Sequence, residues 1–158
     1  MNRKILALTF AMAIVVGANA QSTSTYTPIT QNDSDVAAVT NENDDFDWSP
    51  VVDAIIHVES RGNANARNGQ YAGVLQMSPT VVKAVNQILK KKGLKRRFSL
   101  ADRYSASKSR EMFEIFMSYY NPNNSIEKAI RMWKGGTGYS IRATQKYFRK
   151  VMQHIDFD

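Results

Sequence analysis

Residues 59–80 read ESRGNANARNGQYAGVLQMSPT, and this stretch joins two segments of helical period. Upstream, Val51, Ala54, Ile55 and Val58 recur at i, i+3, i+4 and i+7, the spacing of one apolar helix face. Ser49 at N-cap and Pro50 at N1 start that helix, and Gly62 stops it. Downstream, Ser78-Pro79 repeats the device and opens a helix through Val81, Val82, Val85, Ile88 and Leu89. Gly93 is its C′ residue, after Lys90, Lys91 and Lys92, whose charges suit a negative helix end. The stretch between is therefore a long loop. Its first half is rich in Asn and Gly; its second half is apolar, and Gly69 to Leu75 has the makings of a small hairpin.

Outward from the second helix the period stays helical. A third helix is expected from about Ala106 to Tyr120, with Met112, Phe113, Phe116 and Met117 inward, ended by Asn121-Pro122. Ser125 caps a fourth through Trp133. Gly135, Gly136 and Gly138 form a loop, and Ser140 opens a fifth to about Gln153, with Thr144, Tyr147, Phe148 and Val151 on its apolar period. No alternating run reads as a longer strand, and no repeat of solenoid period occurs. The expected fold is mainly α, one core built from about 110 residues.

The chain has 158 residues and no cysteine, which excludes a disulfide framework, a thiolate metal site and a cysteine nucleophile. Its charge is +7 but unevenly placed. Arg3 and Lys4 precede an apolar run, Ile5 to Val16, that is short for a membrane span, and Ala18-Asn19-Ala20 has a small-x-small cleavage pattern. Residues 1–20 read as a signal peptide, so the product is expected to be exported, periplasmic or secreted, without stable membrane insertion after cleavage. Residues 21–48 read as an acidic flexible linker, too polar to offset its ordering entropy. Six acids and no base lie in 21–50. The body, 49–158, carries 19 bases against 8 acids, a balance that favours an anionic partner such as a cell wall polymer.

Glu59 is the residue that invites a chemical reading. A carboxylate at a helix C-terminus meets an already negative helix end, which disfavours its ionised form and suits a general acid. The plain alternative is a solvated surface glutamate. Gly73 permits positive φ or close backbone approach. Gln76 is a polar side chain inside an apolar run, free to face solvent or a site. His57 and His154 are the only histidines, so no multi-histidine metal site is expected. Asp53 and His57, at i and i+4, read as a helix-surface pair. Lys90 to Arg97 is a basic patch, either a solvated helix end or an adsorption surface for an anionic polymer. Tyr119, Tyr120, Trp133, Tyr139 and Tyr147 read mostly as core, with one or two able to stack on sugar rings.

These residues together resemble the soluble lytic transglycosylase and goose-type lysozyme superfamily. The resemblance rests on Glu59-Ser60, on Gly73-Val74-Leu75-Gln76 before Pro79, and on Met132-Trp133-Lys134-Gly135-Gly136 followed by Tyr139. It covers roughly residues 49–153. It implies a lysozyme-like fold and cleavage of the β-1,4 bond between N-acetylmuramic acid and N-acetylglucosamine. It implies Glu59 as the catalytic acid, with Ser60, Gly73, Gln76, Trp133, Lys134 and Tyr139 at the substrate site. No cofactor and no nucleic acid partner are implied; peptidoglycan glycan strands are. A hydrolytic lysozyme differs only in the final nucleophile, and a non-catalytic wall- or nucleic-acid-binding module that keeps the fold is the rival reading. Lytic transglycosylases resemble the single-acid pattern seen here, because the sugar's own 6-hydroxyl closes the product ring. Asp102 or Glu111 folding into the site would supply a second acid. Lys134 stands where the superfamily has Asn. A point charge there either pairs a muramyl lactate or stem-peptide carboxylate, or marks a weakened grip on sugar. The loop after Ser60 also departs from the family spelling.

Overall fold

Serine hydroxyls start four of the five helices. In the computed structural model, which describes residues 46–156, α1 spans Ser49–Ser60, α2 Pro79–Lys91, α3 Ala106–Tyr120, α4 Ile126–Gly135 and α5 Ile141–Met152. Ser78, Ser105, Ser125 and Ser140 each accept from a backbone N–H three residues on, satisfying a donor that the helix leaves unpaired. A 3-10 turn, Leu100–Tyr104, leads into α3. The protein is mainly α with one small antiparallel hairpin, β1 Arg67–Asn68 and β2 Tyr71–Ala72. No helix among the described residues is long and apolar enough to cross a membrane. The residues expected to form a signal peptide, 1–20, and most of those expected to form a linker, 21–48, lie outside the described residues.

Three local expectations are revised. The first helix is not capped by Ser49: Trp48 is the N-cap residue, without a side-chain bond, and the Ser49 N–H donates to Asp47 Oδ1 at 2.8 Å. Trp48, assigned to the linker by its neighbours' polarity, is 6% exposed and meets Phe113 edge-on at 5.8 Å. An apolar anchor thus fixes the start of α1. At the other end the left-handed cap is Arg61 at φ 55°, one residue before Gly62. The hairpin forms two residues earlier than expected, because Gly69, at φ 56°, supplies the turn itself and not a strand position.

The core gathers one face from each helix. Ile55, Ile88, Met112, Phe113, Met117 and Ile130 are buried below 2% exposure, as are Leu75 and Met77 from the loop after α1. The apolar half of that loop is therefore core, and the polar half is surface. Helices α4 and α5 are joined by Arg131, whose guanidinium lies at 3% exposure. It donates to Glu127 Oε1, the Ile141 carbonyl, Thr144 Oγ1 and Gln145 Oε1, and stacks 4.4 Å from the Phe148 ring centroid. A buried cation is tolerable only with its donors matched in this way.

Candidate active site

Glu59 sits in the last turn of α1, half-buried, where α5 passes beside it. The Tyr147 hydroxyl on α5 donates to Glu59 Oε1 at 2.7 Å. Burial, and then the neighbouring Glu59 carboxylate, push the Tyr147 phenol far above its ordinary range. Tyr147 is thus a fixed donor and Oε1 a fixed acceptor. Oε2 is the carboxylate oxygen that this bond leaves unengaged.

The loop from Gly73 to Met77 is framed by the residues the sequence singles out. Gly73 has φ 77°, and a Cβ there would lie 1.7 Å from the Arg103 carbonyl oxygen, so only glycine fits. Gln76, itself at φ 46°, donates its side-chain amide to the carbonyls of Ala66 and Gly73, at 3.1 and 2.9 Å. The Ser60 hydroxyl donates to the Val74 carbonyl at 2.7 Å. Trp133 Nε1 donates to the Leu75 carbonyl at 3.1 Å. Arg103, 9% exposed, donates to the carbonyls of Gln70 and Met77. Three consecutive carbonyls, Gly73 to Leu75, and that of Met77 beyond thus accept from four side chains, Ser60, Gln76, Trp133 and Arg103, which satisfies polar oxygens in a largely buried loop. Ser60 and Gln76, expected to orient Glu59 or substrate, spend their donors on this loop.

Trp133 also packs against Phe113, with ring centroids 5.0 Å apart. Lys134, in the last turn of α4, is exposed, and its ammonium lies 5.3 Å from the Tyr147 ring centroid. Tyr139 is half-buried; it crowds Gly135, where an added Cβ would lie 2.8 Å from Tyr139 Cβ and 3.0 Å from Thr144 Cγ2. Gly135 therefore lets the α4–α5 turn close. The sequence places Tyr147 on an apolar period and among aromatics of which one or two could stack on sugar, without tying it to Glu59, and gives Arg103 no role. The signal for Tyr147 was available: a tyrosine on a core-facing stripe needs a partner for its hydroxyl.

Four of the other acids are engaged in ion pairs. Asp102 caps the 3-10 turn through Ser99 and pairs with Lys108 at 2.6 Å, which holds its carboxyl down to about 2. Glu111 pairs with Arg96, and Glu127 with Arg131. Asp53 pairs with Arg110 instead of His57, and His57 stacks on His154 with centroids 4.2 Å apart. The helix-surface pair expected of Asp53 and His57 does not form, because a longer guanidinium on α3 reaches Asp53. In the basic run, all of 90–97 is exposed; Lys91 donates to the Tyr119 hydroxyl, and Arg96 lies over the Phe98 ring.

Comparison with known protein families, curated proteins and solved structures found no match for this chain.

Proposed function

We propose that the chain is a peptidoglycan lytic transglycosylase-like enzyme of lysozyme-like fold, acting outside the cytoplasm with Glu59 as its one catalytic acid. The observation that carries this reading is the Tyr147 to Glu59 hydrogen bond at 2.7 Å. It fixes one carboxylate oxygen and leaves the other to exchange a proton with a bound sugar.

In the proposed cycle Glu59 gives the Oε2 proton to the glycosidic oxygen between N-acetylmuramic acid and N-acetylglucosamine. The bond from that oxygen to the anomeric carbon breaks, and the acceptor sugar leaves with a free 4-hydroxyl. Glu59, now a carboxylate, takes the proton from the muramyl 6-hydroxyl, whose oxygen closes on the anomeric carbon. One residue thus serves as acid and then base. A glycosidase that uses water generally needs a second carboxylate across the bond. Four of the domain's other acids, Asp53, Asp102, Glu111 and Glu127, are each paired with a cation, which supports ring closure over hydrolysis. The basic body suits an acidic, immobile substrate.

Mass analysis of products from purified peptidoglycan tests the proposal. Anhydro-muropeptides are expected. Reducing ends would make the enzyme a hydrolytic lysozyme, and binding without product would make it a wall-binding module. Glu59→Gln keeps size and accepts from Tyr147 but cannot donate a proton to the leaving group. Its rate should fall at least about 100-fold with the fold intact, and undiminished lysis would remove Glu59 from the chemistry.

A further inference from the structure

Lys134 is an exposed cation in the last turn of α4, against the ring whose hydroxyl holds the candidate acid. Four ion pairs among the described residues use other cations, Arg96, Lys108, Arg110 and Arg131. The Lys134 ammonium rests 5.3 Å from the Tyr147 ring centroid, and the hydroxyl of the same ring holds Glu59. The cation–π contact and the negative end of α4 both restrain it there. Together the two contacts keep the ammonium within about 11 Å of the Glu59 carboxylate. A restrained, exposed cation at that range favours a sugar with an anionic group near its anomeric carbon.

We infer that Lys134 makes the site selective for glycan whose muramyl lactyl carboxylate is free. This rests on the proposed function of Glu59. The lactyl arm is carried on ring carbon 3, two carbons from the anomeric carbon, so its carboxylate lies near the scissile bond. In a strand bearing stem peptides that carboxylate is an amide and uncharged. In a strand stripped of peptides it is an anion that Lys134 can pair. The preferred substrate is therefore peptide-free glycan, and the reaction that supplies it is hydrolysis of the lactyl amide bond.

The test uses two soluble oligosaccharides of alternating N-acetylglucosamine and N-acetylmuramic acid, one with free lactyl carboxylates and one with them converted to methylamides. Wild type should turn over the acid form about 3–10-fold better in kcat/KM, carried by KM and narrowed by salt. Lys134→Gln should bring the ratio to about 1, and Lys134→Arg should keep it. A ratio unchanged by Lys134→Gln, or a wild-type preference for the methylamide or for peptide-bearing strands, overturns the inference while leaving a lytic enzyme standing. If wild type cleaves neither glycan, the proposed function falls. Binding of the same two glycans, followed by amide chemical shifts at Lys134 and Tyr147, then decides the inference. Discrimination lost in Lys134→Gln upholds it, and equal binding by both proteins overturns it.

Discussion

Tyr147→Phe removes one oxygen and leaves the ring that packs on α5. The lost bond, at 2.7 Å, has the length of a strong O–H···O contact to a carboxylate. Bonds to charged groups contribute about 1.5–3 kcal/mol, and the half-buried state of Glu59 puts this one near the lower end, because water can replace the phenol. About 1.5 kcal/mol is roughly a tenfold loss in occupancy of the held carboxylate orientation. The lysis rate should therefore fall about 10-fold, in kcat more than in KM, since substrate contacts remain. The decisive assay is a double-mutant cycle with Glu59→Gln. If Tyr147 acts through Glu59, Tyr147→Phe costs little more once the transferable proton is gone. Urea unfolding of a second cycle, with Glu59→Ala because Glu59→Gln still accepts from Tyr147, reads the contact without needing activity, and a coupling of about 0.5–1.5 kcal/mol is expected. A coupling near zero would refute the geometry. An equal rate loss in both backgrounds would refute the positioning role.

Two further outcomes follow from the loop and its neighbour. Gly73→Ala puts a methyl group against the Arg103 carbonyl at positive φ, so unfolding free energy should drop by at least about 2 kcal/mol, and a neutral result would mean that the loop can move away from the 3-10 turn. Asp102 has its folded-state value depressed to about 2 from 3.8; its stabilisation is present above about pH 4 and is lost as pH falls toward 2, and urea midpoints against pH should show that slope in wild type and lack it in Asp102→Asn, with an amplitude under about 1 kcal/mol because the Lys108 pair faces solvent.

Helix starts were readable because their signals are local. Ser78, Ser125 and Ser140 cap by a bond spanning three residues, and Gly93 turns the chain by its own φ. The inward faces of α2 and α3 followed from period alone. Ser49 misled because a buried tryptophan next to it outweighed a polar cap, and burial is a property of the whole fold. The candidate site divides the same way. Glu59, Ser60, Gly73 and Gln76 lie within 18 residues and form a legible string. Trp133 joins their loop through a bond to Leu75 across 58 positions, and Tyr147 reaches Glu59 across 88. Neither separation leaves a spacing pattern to read. Arg103 was invisible for a related reason: its partners are backbone carbonyls, which any sequence offers.

The two ties near Glu59 act from different directions, and that decides what the site can do. Ser60, the next residue, fastens the end of α1 to the Val74 carbonyl, while Tyr147 fastens the Glu59 side chain to α5. The first tie sets where the Glu59 backbone lies; the second sets which way its carboxylate turns. A backbone tie alone would leave the side-chain torsions free, and a side-chain tie alone would let the helix end drift with its long loop. Orientation of an acid to a fraction of an ångström is worth orders of magnitude in rate. The loop receives its own support from Gln76, Trp133 and Arg103, so the anchor point of Ser60 is itself rigid. Four side chains, Ser60, Gln76, Trp133 and Arg103, thus hold this loop. That expenditure is intelligible if the loop is the fixed floor against which one acid is aimed.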